Sequence, residues 1–319
     1  MNKNEKIIIL SGGFSEEVSV SKITSAAIEY SLQNSGFQTM VLDPVVFGSY
    51  TALLIKIKEL EPLIVFNGLH GTDGEDGKIQ ALLELEKIPY TGSDSRSSAI
   101  AMDKEISGFI AQQIGLKIPH RVCLKSDEEL SWNVLEEQFE FPFVIKPNDS
   151  GSSVGISIIR DQQEIMPAFL EAKKFSDKVI LEEFIKGREL TVTMLDGKAL
   201  PVVEIKPKNG WYDYTNKYTK GNTIYEVPAK LFEKEIETIQ SNAQKIFDTI
   251  GCSVYGRVDF RYDGKDFYFL EVNTLPGMTE LSLTPMAARC AGIDFDQLLL
   301  KIIDSSLKKI NKDSKRRAL

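Results

Sequence analysis

Residues 256–273 read GRVDFRYDGKDFYFLEVN, in which two short strands flank the turn at 263–265. Alternate residues of a strand share one face, so Glu271 and Asn273 point the same way, and Asp259 on the partner strand joins them there. The residues between them are apolar, which predicts that the opposite face of the hairpin is buried. The stretch therefore predicts an antiparallel hairpin that carries two carboxylates and an amide on one face.

This set of side chains suits a hard divalent cation. Two carboxylates and an amide oxygen are ligands that fit Mg²⁺ where it bridges nucleotide phosphates. The alternative is a solvated polar face of a hairpin that binds nothing. The burial predicted for Val258, Phe260 and Val272 on the other face favours the metal site.

A second feature is the loop that follows a predicted strand at 143–146, with the sequence PNDSGSSVG at 147–155. Its small residues allow backbone N–H groups to approach phosphate oxygens, and Lys146 adds a positive charge. No Gly-Lys-Ser/Thr sequence closes the loop, so it is not a Walker loop. A flexible loop without a ligand fits the same residues, and the local pattern does not choose between the two.

The first ninety or so residues alternate between strand and helix patterns. Strands are predicted at Lys6–Leu10, 39–42 and 63–66, with apolar residues at helical spacing between them. Alternating β and α units predict a parallel sheet, and ligands of such sheets gather beyond the carboxyl ends of the strands. The segments 11–17 and 67–77 both begin where a strand ends, so we expect them to lie side by side.

The remainder of the chain predicts longer helices and antiparallel strands. One helix, beginning near Ser97, is expected to pass through Asp103 toward Gly115. Further predicted elements are a strand at 179–184, a hairpin of 190–195 with 199–205, and helices at about 230–250 and 285–309.

The composition is that of a folded protein in water, and it argues against several functional classes of protein. Hydrophobic residues make up 42% and charged residues 26% of the 319 positions, which suits two or three domains. The net charge of −8 disfavours a nucleic-acid partner, because phosphate backbones recruit surplus Lys and Arg. No apolar run reaches the length of a membrane span. Three scattered cysteines and the lack of a signal-peptide core predict a cytoplasmic location.

A series of short motifs runs from Ile8 to about Leu298. They are GGFS at 12–15, HG at 70–71 with GEDG at 74–77, PYTG at 89–92, MDK at 102–104, KP at 146–147 with GSSVG at 151–155, YDY at 212–214 with KY at 217–218, GRVD at 256–259, EVNT at 271–274 with PGMT at 276–279, and PMAAR at 285–289. In this order they resemble the D-alanine–D-alanine ligases of the ATP-grasp superfamily. The resemblance covers nearly the whole chain.

The resemblance implies an α/β chain, with α+β character in its C-terminal part, in the three-domain ATP-grasp fold. Residues 1–96 would form an N-terminal domain with a doubly wound parallel sheet, 97–184 the central ATP-grasp subdomain, and 185–319 the C-terminal one. The implied activity is ATP-dependent ligation of two D-alanine molecules through a D-alanyl phosphate intermediate, for peptidoglycan precursors. ATP would be the co-substrate, two Mg²⁺ or Mn²⁺ ions the metals, and a homodimer the assembly.

The resemblance also assigns site residues at matching positions of this chain. ATP would be held by Lys104, Lys146, Lys217, Glu182 at the adenine end and Glu189 at the ribose. Two metal ions would be held by Asp259, Glu271 and Asn273. The first D-alanine would be bound by Glu17 in an array with Ser152 and Tyr218. The second would be positioned by His70, Ser282 and the backbone of Leu283. The oxyanion would be stabilised by Arg257 and the Gly277 amide.

One departure from the family pattern and two alternative functions stand beside this interpretation. The family carries a charged pair just after Glu17, where this chain has Val18-Ser19. The change bears on affinity for the first D-alanine and not on the reaction type. A ligase that adds D-serine or D-lactate is one alternative, against which Tyr218 favours D-alanine without excluding D-serine. A catalytically dead nucleotide-binding regulator is the other, and the intact metal ligands with Arg257 argue against it.

Overall fold

In the computed structural model, the chain forms three separate β-sheets. The structure describes residues 5–125, 135, 137–151, 153–208, 219, 221–279 and 282–317, of which 311–317 are described by backbone alone. The sheets span residues 6–67, 121–183 and 188–273, so one sheet falls within each of the three predicted domain ranges.

The N-terminal segment alternates strands and helices, as predicted. Its elements are β1 (Lys6–Leu10), α1 (Val18–Asn34), β2 (Gln38–Leu42), α2 (Pro44–Phe47), α3 (Tyr50–Leu60), β3 (Ile64–Asn67) and α4 (Lys78–Leu85). The strands pair in parallel in the order β2-β1-β3. Ile7 and Ile9 face one core and Ile8 and Leu10 another, because side chains alternate between the two faces of a sheet. The predicted doubly wound parallel sheet is confirmed.

The segments that follow β1 and β3 meet at one edge of this sheet. The hydroxyl of Ser15 donates to the carbonyl of His70 at 2.6 Å. The hydroxyl of Ser21 donates to the carbonyl of Gly68 at 2.7 Å. The prediction that these two segments lie side by side is confirmed.

The helix predicted to pass through Asp103 is broken at that residue. α5 (Ser95–Met102) ends there and α6 (Lys104–Gln113) begins. Asp103 has an extended backbone, and its carboxylate accepts a hydrogen bond from the N–H of Ile106 at 2.9 Å. Aspartate is favoured at this capping position because it satisfies a backbone donor that has no partner within the helix. The prediction of one helix was wrong, and the break places Lys104 at the start of α6.

The second sheet is antiparallel. Its elements, with a 3-10 turn at Gln162–Glu164, are β4 (Arg121–Lys125), β5 (Phe143–Pro147), β6 (Ser157–Ile159), α7 (Ile165–Ala172) and β7 (Lys178–Glu183). The strand order is β4-β7-β5-β6. α7 packs on one face, where Phe169 joins Ile145 and Leu181 in a buried cluster. The side chains of Lys146 and Glu182, one residue further along their strands, therefore lie on the opposite face.

The third sheet is also antiparallel. Its elements, with one helix, are β8 (Arg188–Leu195), β9 (Lys198–Ala199), β10 (Val203–Pro207), β11 (Thr223–Glu226), α8 (Glu233–Ile250), β12 (Tyr255–Tyr262) and β13 (Phe267–Asn273). The strand order is β11-β10-β8-β12-β13, and β9 pairs with β8. The strand predicted at 199–205 is divided into β9 and β10 around Pro201, which has no N–H to donate. The hairpin of β12 and β13 is confirmed.

Two helices complete the chain as described, α9 (Leu283–Cys290) and α10 (Phe295–Arg317). A single helix was predicted at 285–309, and this was wrong: the chain turns at Gly292, which has a φ of 79°. α10 packs Leu298 and Ile302 against the Ile7 and Ile9 face of the first sheet. None of the helices in the described ranges is long and apolar enough to span a membrane.

Helix packing crosses the predicted domain boundaries at 96/97 and 184/185. Ala101 of α5 and Ala111 of α6 pack with Val258 and Phe260 of the third sheet, although they precede the second sheet in the sequence. The domain ranges stay a prediction for this reason.

Candidate active site

Two adjoining cavities have walls drawn from all three sheets and their connecting segments. The larger has a volume of about 410 Å³ and the smaller about 130 Å³. The smaller lies between the second and third sheets, and the larger extends toward α1 and α9. Lys104, Arg257 and Glu271 line both cavities. These three charged side chains therefore form a common boundary between two binding spaces.

The hairpin of β12 and β13 contributes Arg257 and Glu271 to this boundary and Asp259 to the smaller cavity. Its register places Asp259 opposite Glu271 and Arg257 opposite Asn273, so these side chains share one face as predicted. The guanidinium of Arg257 donates two hydrogen bonds to the carboxylate of Asp259, at 2.8 and 2.7 Å. The hydroxyl of Thr191 donates to the same carboxylate at 2.5 Å. The orientation of the Asp259 carboxylate is thereby fixed.

The donor set on this hairpin fits a hard cation. The carboxylates of Asp259 and Glu271 already lie beside positive groups, Arg257 at 2.7 Å and Lys104 at 3.1 Å. The side-chain oxygen of Asn273 accepts a hydrogen bond from the backbone N–H two residues further on, at 2.8 Å. Clustered oxygen ligands that attract positive charge are what Mg²⁺ and Mn²⁺ require.

The phosphate-loop candidate at 147–155 is attached to the start of α6. The N–H of Lys104 donates to the carbonyl of Asn148 at 3.2 Å, and the N–H of Glu105 donates to the Asn148 side chain at 2.8 Å. The ammonium of Lys104 donates to the carbonyl of Ser150 at 2.8 Å. Lys104 is 5% exposed, so its charge is held inside the site between the loop and the β12–β13 hairpin.

A buried ion pair lies in the wall of the smaller cavity. The ammonium of Lys146 donates to one carboxylate oxygen of Glu182 at 2.7 Å. The guanidinium of Arg121 lies 2.8 Å from the other oxygen. Burial lowers the pKa of Lys146 below its ordinary value, the negative charge of Glu182 opposes this, and the positive charges of Arg121 and Lys104 add to it. Among these groups, Glu182 is therefore the one that opposes the lowering of the Lys146 pKa.

The larger cavity contains a cluster of buried ionisable groups. Polar atoms of Glu17, His70 and Glu75 lie within 4.8 Å of one another. One ring nitrogen of His70 is 3.3 Å from the Glu75 carboxylate and the other is 3.2 Å from the hydroxyl of Thr24, so the ring is held from both sides. Gly151 of the phosphate-loop candidate reaches this cluster, since a Cβ there would lie 2.7 Å from the Glu17 carboxylate. Two carboxylates beside a cavity attract a cationic ligand.

The start of α9 borders the same cavity. The hydroxyl of Ser282 accepts a hydrogen bond from the N–H of Thr279 at 3.1 Å and bonds the Thr279 hydroxyl at 2.8 Å. A Cβ on Gly277 would lie 3.1 Å from the Ser282 hydroxyl, so the two approach closely. Leu283 begins α9 and lines the cavity.

Every predicted site residue in the described part of the chain lines one of the two cavities. Ser152, Lys217 and Tyr218 lie outside the described residues. Thr219 and Gly221, which are described, line the larger cavity.

Sequence reasoning missed the side chains that hold these residues in place. Thr191 orients Asp259, and Thr24 holds His70. Glu75 stood inside a quoted motif without a role, and its position there was an available signal. Arg121 offered no signal, because only the register of β4 with β7 brings it to Glu182.

The fold and the site together define the class of protein. The second and third sheets enclose a cavity lined by Lys146 of the second sheet, Lys104 of α6 and a carboxylate-bearing hairpin. The solved structure of D-alanine–D-alanine ligase from Bacillus anthracis complexed with ATP matches with a TM-score of 0.84 and 33% identity, covering 97% of this chain and 99% of that chain. The chain is an enzyme of the ATP-grasp type.

Sequence comparisons identify the family. The model described as D-ala D-ala ligase C-terminus matches residues 110–304, and that described as D-ala D-ala ligase N-terminus matches residues 49–93. The D-alanine–D-alanine ligase of Syntrophotalea carbinolica is 40% identical over 308 residues, which cover 96% of this chain and 98% of that protein. The solved VanG D-Ala:D-Ser ligase from Enterococcus faecalis has a TM-score of 0.79 and 29% identity, covering 95% of this chain and 99% of that chain. The chain belongs to the D-alanine–D-alanine ligase family.

Proposed function

We propose that this chain joins two D-alanine molecules to D-alanyl-D-alanine with ATP, through D-alanyl phosphate, in the synthesis of peptidoglycan precursors. The observation that carries the proposal is the boundary shared by the two cavities. Lys104, Arg257 and Glu271 line both spaces, so a phosphoryl group held there would face a carboxylate bound in the larger cavity. Phosphoryl transfer to a carboxylate needs that juxtaposition.

ATP takes the smaller cavity and the boundary. Glu182 binds at the adenine end and Glu189 binds the ribose hydroxyls. Lys146 and Lys104 hold the phosphates, and Lys217 reaches the γ-phosphate. The described lysines are supported by ion pairs with Glu182 and Glu271, so their charges are positioned before the phosphates arrive, which lowers the reorganisation needed on binding.

Asp259, Glu271 and Asn273 hold two Mg²⁺ or Mn²⁺ ions. The bound ions would supply neutralisation of the charge that develops on the transferred phosphoryl group. The support is the cluster of oxygen donors on β12 and β13, with Asp259 and Glu271 opposite each other in register. Once these carboxylates bind cations, the guanidinium of Arg257 is available to a substrate anion.

The first D-alanine binds with its ammonium group at Glu17, in an array with Ser152 and Tyr218. One of its carboxylate oxygens attacks the γ-phosphorus, the bond to ADP breaks, and D-alanyl phosphate forms. Lys104 and Lys146 offset the repulsion between the two anions. The support is the buried carboxylate of Glu17, which lies in the cavity that Lys104 also lines.

The second D-alanine is positioned by His70, Ser282 and the backbone of Leu283. Its amine attacks the carbonyl carbon of D-alanyl phosphate, and phosphate leaves as the new peptide bond forms. Arg257 and the N–H of Gly277 stabilise the oxyanion of the tetrahedral intermediate. The segment 211–222 acts as the lid that keeps water from the acyl phosphate.

Phosphate release across a panel of D-amino and D-hydroxy acids tests this function. We expect ATP hydrolysis to require D-alanine, the product to be the D-alanine dipeptide, and L-alanine to give no reaction. Preferential addition of D-serine or D-lactate as the second substrate would contradict the proposal in favour of the related ligases. ATP binding without any phosphate release would support the dead regulator instead.

The enzyme is proposed to act in the cytoplasm as a homodimer that uses the N-terminal domain for contact. The support is a set of large apolar side chains exposed on that part of the chain, among them Ile23 and Tyr30 of α1 and Val46 of α2. Light scattering during size-exclusion chromatography should give about twice the chain mass of 35.7 kDa. A mass equal to that of one chain at all concentrations would contradict the dimer.

A further inference from the structure

Arg121 is a buried cation in the second sheet that no step of the proposed mechanism uses. It begins β4 and lies opposite Glu182 in register, with its side chain 9% exposed. Its guanidinium lies 2.8 Å from one carboxylate oxygen of Glu182 and donates to the carbonyl of Lys104 at 2.9 Å. One side chain therefore contacts both the carboxylate at the adenine end and the backbone of a phosphate-binding lysine.

Glu182 is shared between two cations. One of its oxygens accepts from Lys146, and the other faces Arg121. A carboxylate this deeply buried is costly without a partner, because it has lost its hydration. A phosphate that draws the Lys146 ammonium toward itself would leave Arg121 as the remaining partner of Glu182.

We propose that Arg121 is a positioning residue for ATP, which keeps Glu182 ionised and oriented when Lys146 turns to the phosphates. The inference rests on the proposed role of Lys146 in phosphate binding. Without Arg121, ATP would have to compete with Glu182 for Lys146, or Glu182 would have to take up a proton. Arg121 also ties Lys104 to the second sheet, so the two phosphate-binding lysines keep a fixed separation.

Other charged groups face the smaller cavity from the elements around Glu182. They are Lys104 of α6, Glu183 beside it on β7, Glu189 of β8, Arg257, Asp259 and Arg261 of β12, and Glu271 of β13. Among the residues that the structure describes, Lys146 and Arg121 are the two that form ion pairs with Glu182. These two cations therefore hold the Glu182 carboxylate between them.

Gly108, in the middle of α6, is an independent sign that this contact is required. A Cβ at Gly108 would lie 2.5 Å from the Arg121 guanidinium. Glycine inside a helix is less stable than alanine, so its presence there is accounted for by the close passage of the arginine.

The test is calorimetric titration of the intact enzyme with ATP and Mg²⁺, in buffers of different ionisation enthalpy between pH 6 and 8. Arg121→Met should weaken ATP binding about 30-fold or more, the scale of truncating one partner of a buried charge pair. It should also take up as much as one more proton per ATP than the wild type, and its affinity should fall as pH rises. The sign follows because a buried carboxylate left without a cation is neutralised by a proton, and binding that takes up a proton weakens as pH rises. Arg121→Lys should recover most of the affinity and remove the extra proton.

Arg188→Met is the matched control. Arg188 also binds a carboxylate, Glu204 at 2.9 and 2.6 Å, and a backbone carbonyl, that of Lys230 at 2.9 Å, but it lines neither cavity. Its loss should leave ATP affinity and proton uptake unchanged.

The outcomes separate this inference from the proposed function. A wild type that does not bind ATP would overturn the proposed function and the inference with it. A wild type that binds ATP, with an Arg121→Met variant that binds equally well or more weakly but without extra proton uptake, would overturn the inference alone. Should Arg121→Met fail to fold, Gly108→Ala carries the test, since it displaces the guanidinium while favouring the helix. Unchanged ATP affinity and proton uptake in Gly108→Ala would then overturn the proposal.

Discussion

The two cavities differ in how their walls are built. The smaller one lies between two antiparallel sheets, and its charged side chains are already joined in ion pairs such as Lys146–Glu182. Apart from the shared boundary, the larger one takes its acidic groups from connecting segments that belong to different parts of the chain, with Glu17 before α1 and Glu75 after β3. The cavity proposed for the nucleotide is thus built on strands, whereas the cavity proposed for the amino acids is assembled from loops and helix ends.

This difference makes the two spaces separable by mutation, except at their boundary. A change on a strand of the smaller cavity should alter the KM for ATP, and a change among the loops of the larger one should alter the KM for D-alanine. A change to the metal ligands at the boundary should lower kcat, because the reacting atoms meet there.

The largest effect is expected at the hairpin of β12 and β13. Asp259→Asn should lower turnover by at least ~100-fold, the scale of removing one preorganised electrostatic partner. Phosphate release with saturating ATP, Mg²⁺ and D-alanine measures it, and Glu271→Gln should behave alike. The fold should stay intact, because Val258 and Phe260 on the opposite face are untouched. Near-normal turnover in either variant would remove the metal assignment.

The second-largest effect is expected in the larger cavity, where a substitution should alter the KM for D-alanine alone. Glu17→Gln removes a buried carboxylate from the proposed ammonium site, and a hydrogen bond to a charged group contributes about 1.5–3 kcal/mol. The KM for D-alanine should therefore rise by about 10- to 100-fold while the KM for ATP stays the same. Initial rates with each substrate varied in turn give both constants. An equal rise in the KM for D-alanine and the KM for ATP would mean that Glu17 affects both cavities.

A smaller effect is expected in the smaller cavity, where a substitution should alter the KM for ATP alone. Glu189→Gln keeps the size of the side chain proposed to bind the ribose and weakens its contact with Arg261, which lies 3.3 Å away. The loss should be about 0.5–1.5 kcal/mol, so the KM for ATP should rise by about 2- to 12-fold with no change for D-alanine. Initial rates with ATP and D-alanine varied in turn give both KM values. A changed KM for D-alanine would show that Glu189 acts beyond the smaller cavity.

The smallest effect is expected where the chain departs from its family. Val18→Arg combined with Ser19→Glu places charges beside Glu17 at the start of α1, where Val18 is half-buried and Ser19 is exposed. An exposed pair contributes at most about 0.5 kcal/mol, so the KM for D-alanine should fall by about twofold or stay unchanged. A severe loss of activity would show that Val18 packs in a way that the charges disrupt.

The fold was predictable wherever a repeating pattern acts locally. Short apolar strands that alternate with helical patterns predicted the parallel sheet, and alternating apolar residues predicted the hairpin that carries Asp259. The breaks at Asp103 and Gly292 were missed, because the apolar spacing runs past a single capping or turn residue without a visible gap. The positions of the site residues were predicted by resemblance to the family. Their supports were not, because the contact of Arg121 with Glu182 depends on the register of two strands that are far apart in the sequence.

The position of α10 has a consequence for how the protein is made. Its Leu298 and Ile302 cover the face of the first sheet that carries Ile7, Ile9 and Phe66. Those strands leave the ribosome long before α10 is translated, by roughly 10 s or more at about 5–20 residues per second. Until then only α1, through Ile28 and Leu32, covers this face, so the growing chain offers the rest of it as a binding surface to chaperones throughout the synthesis of the second and third sheets.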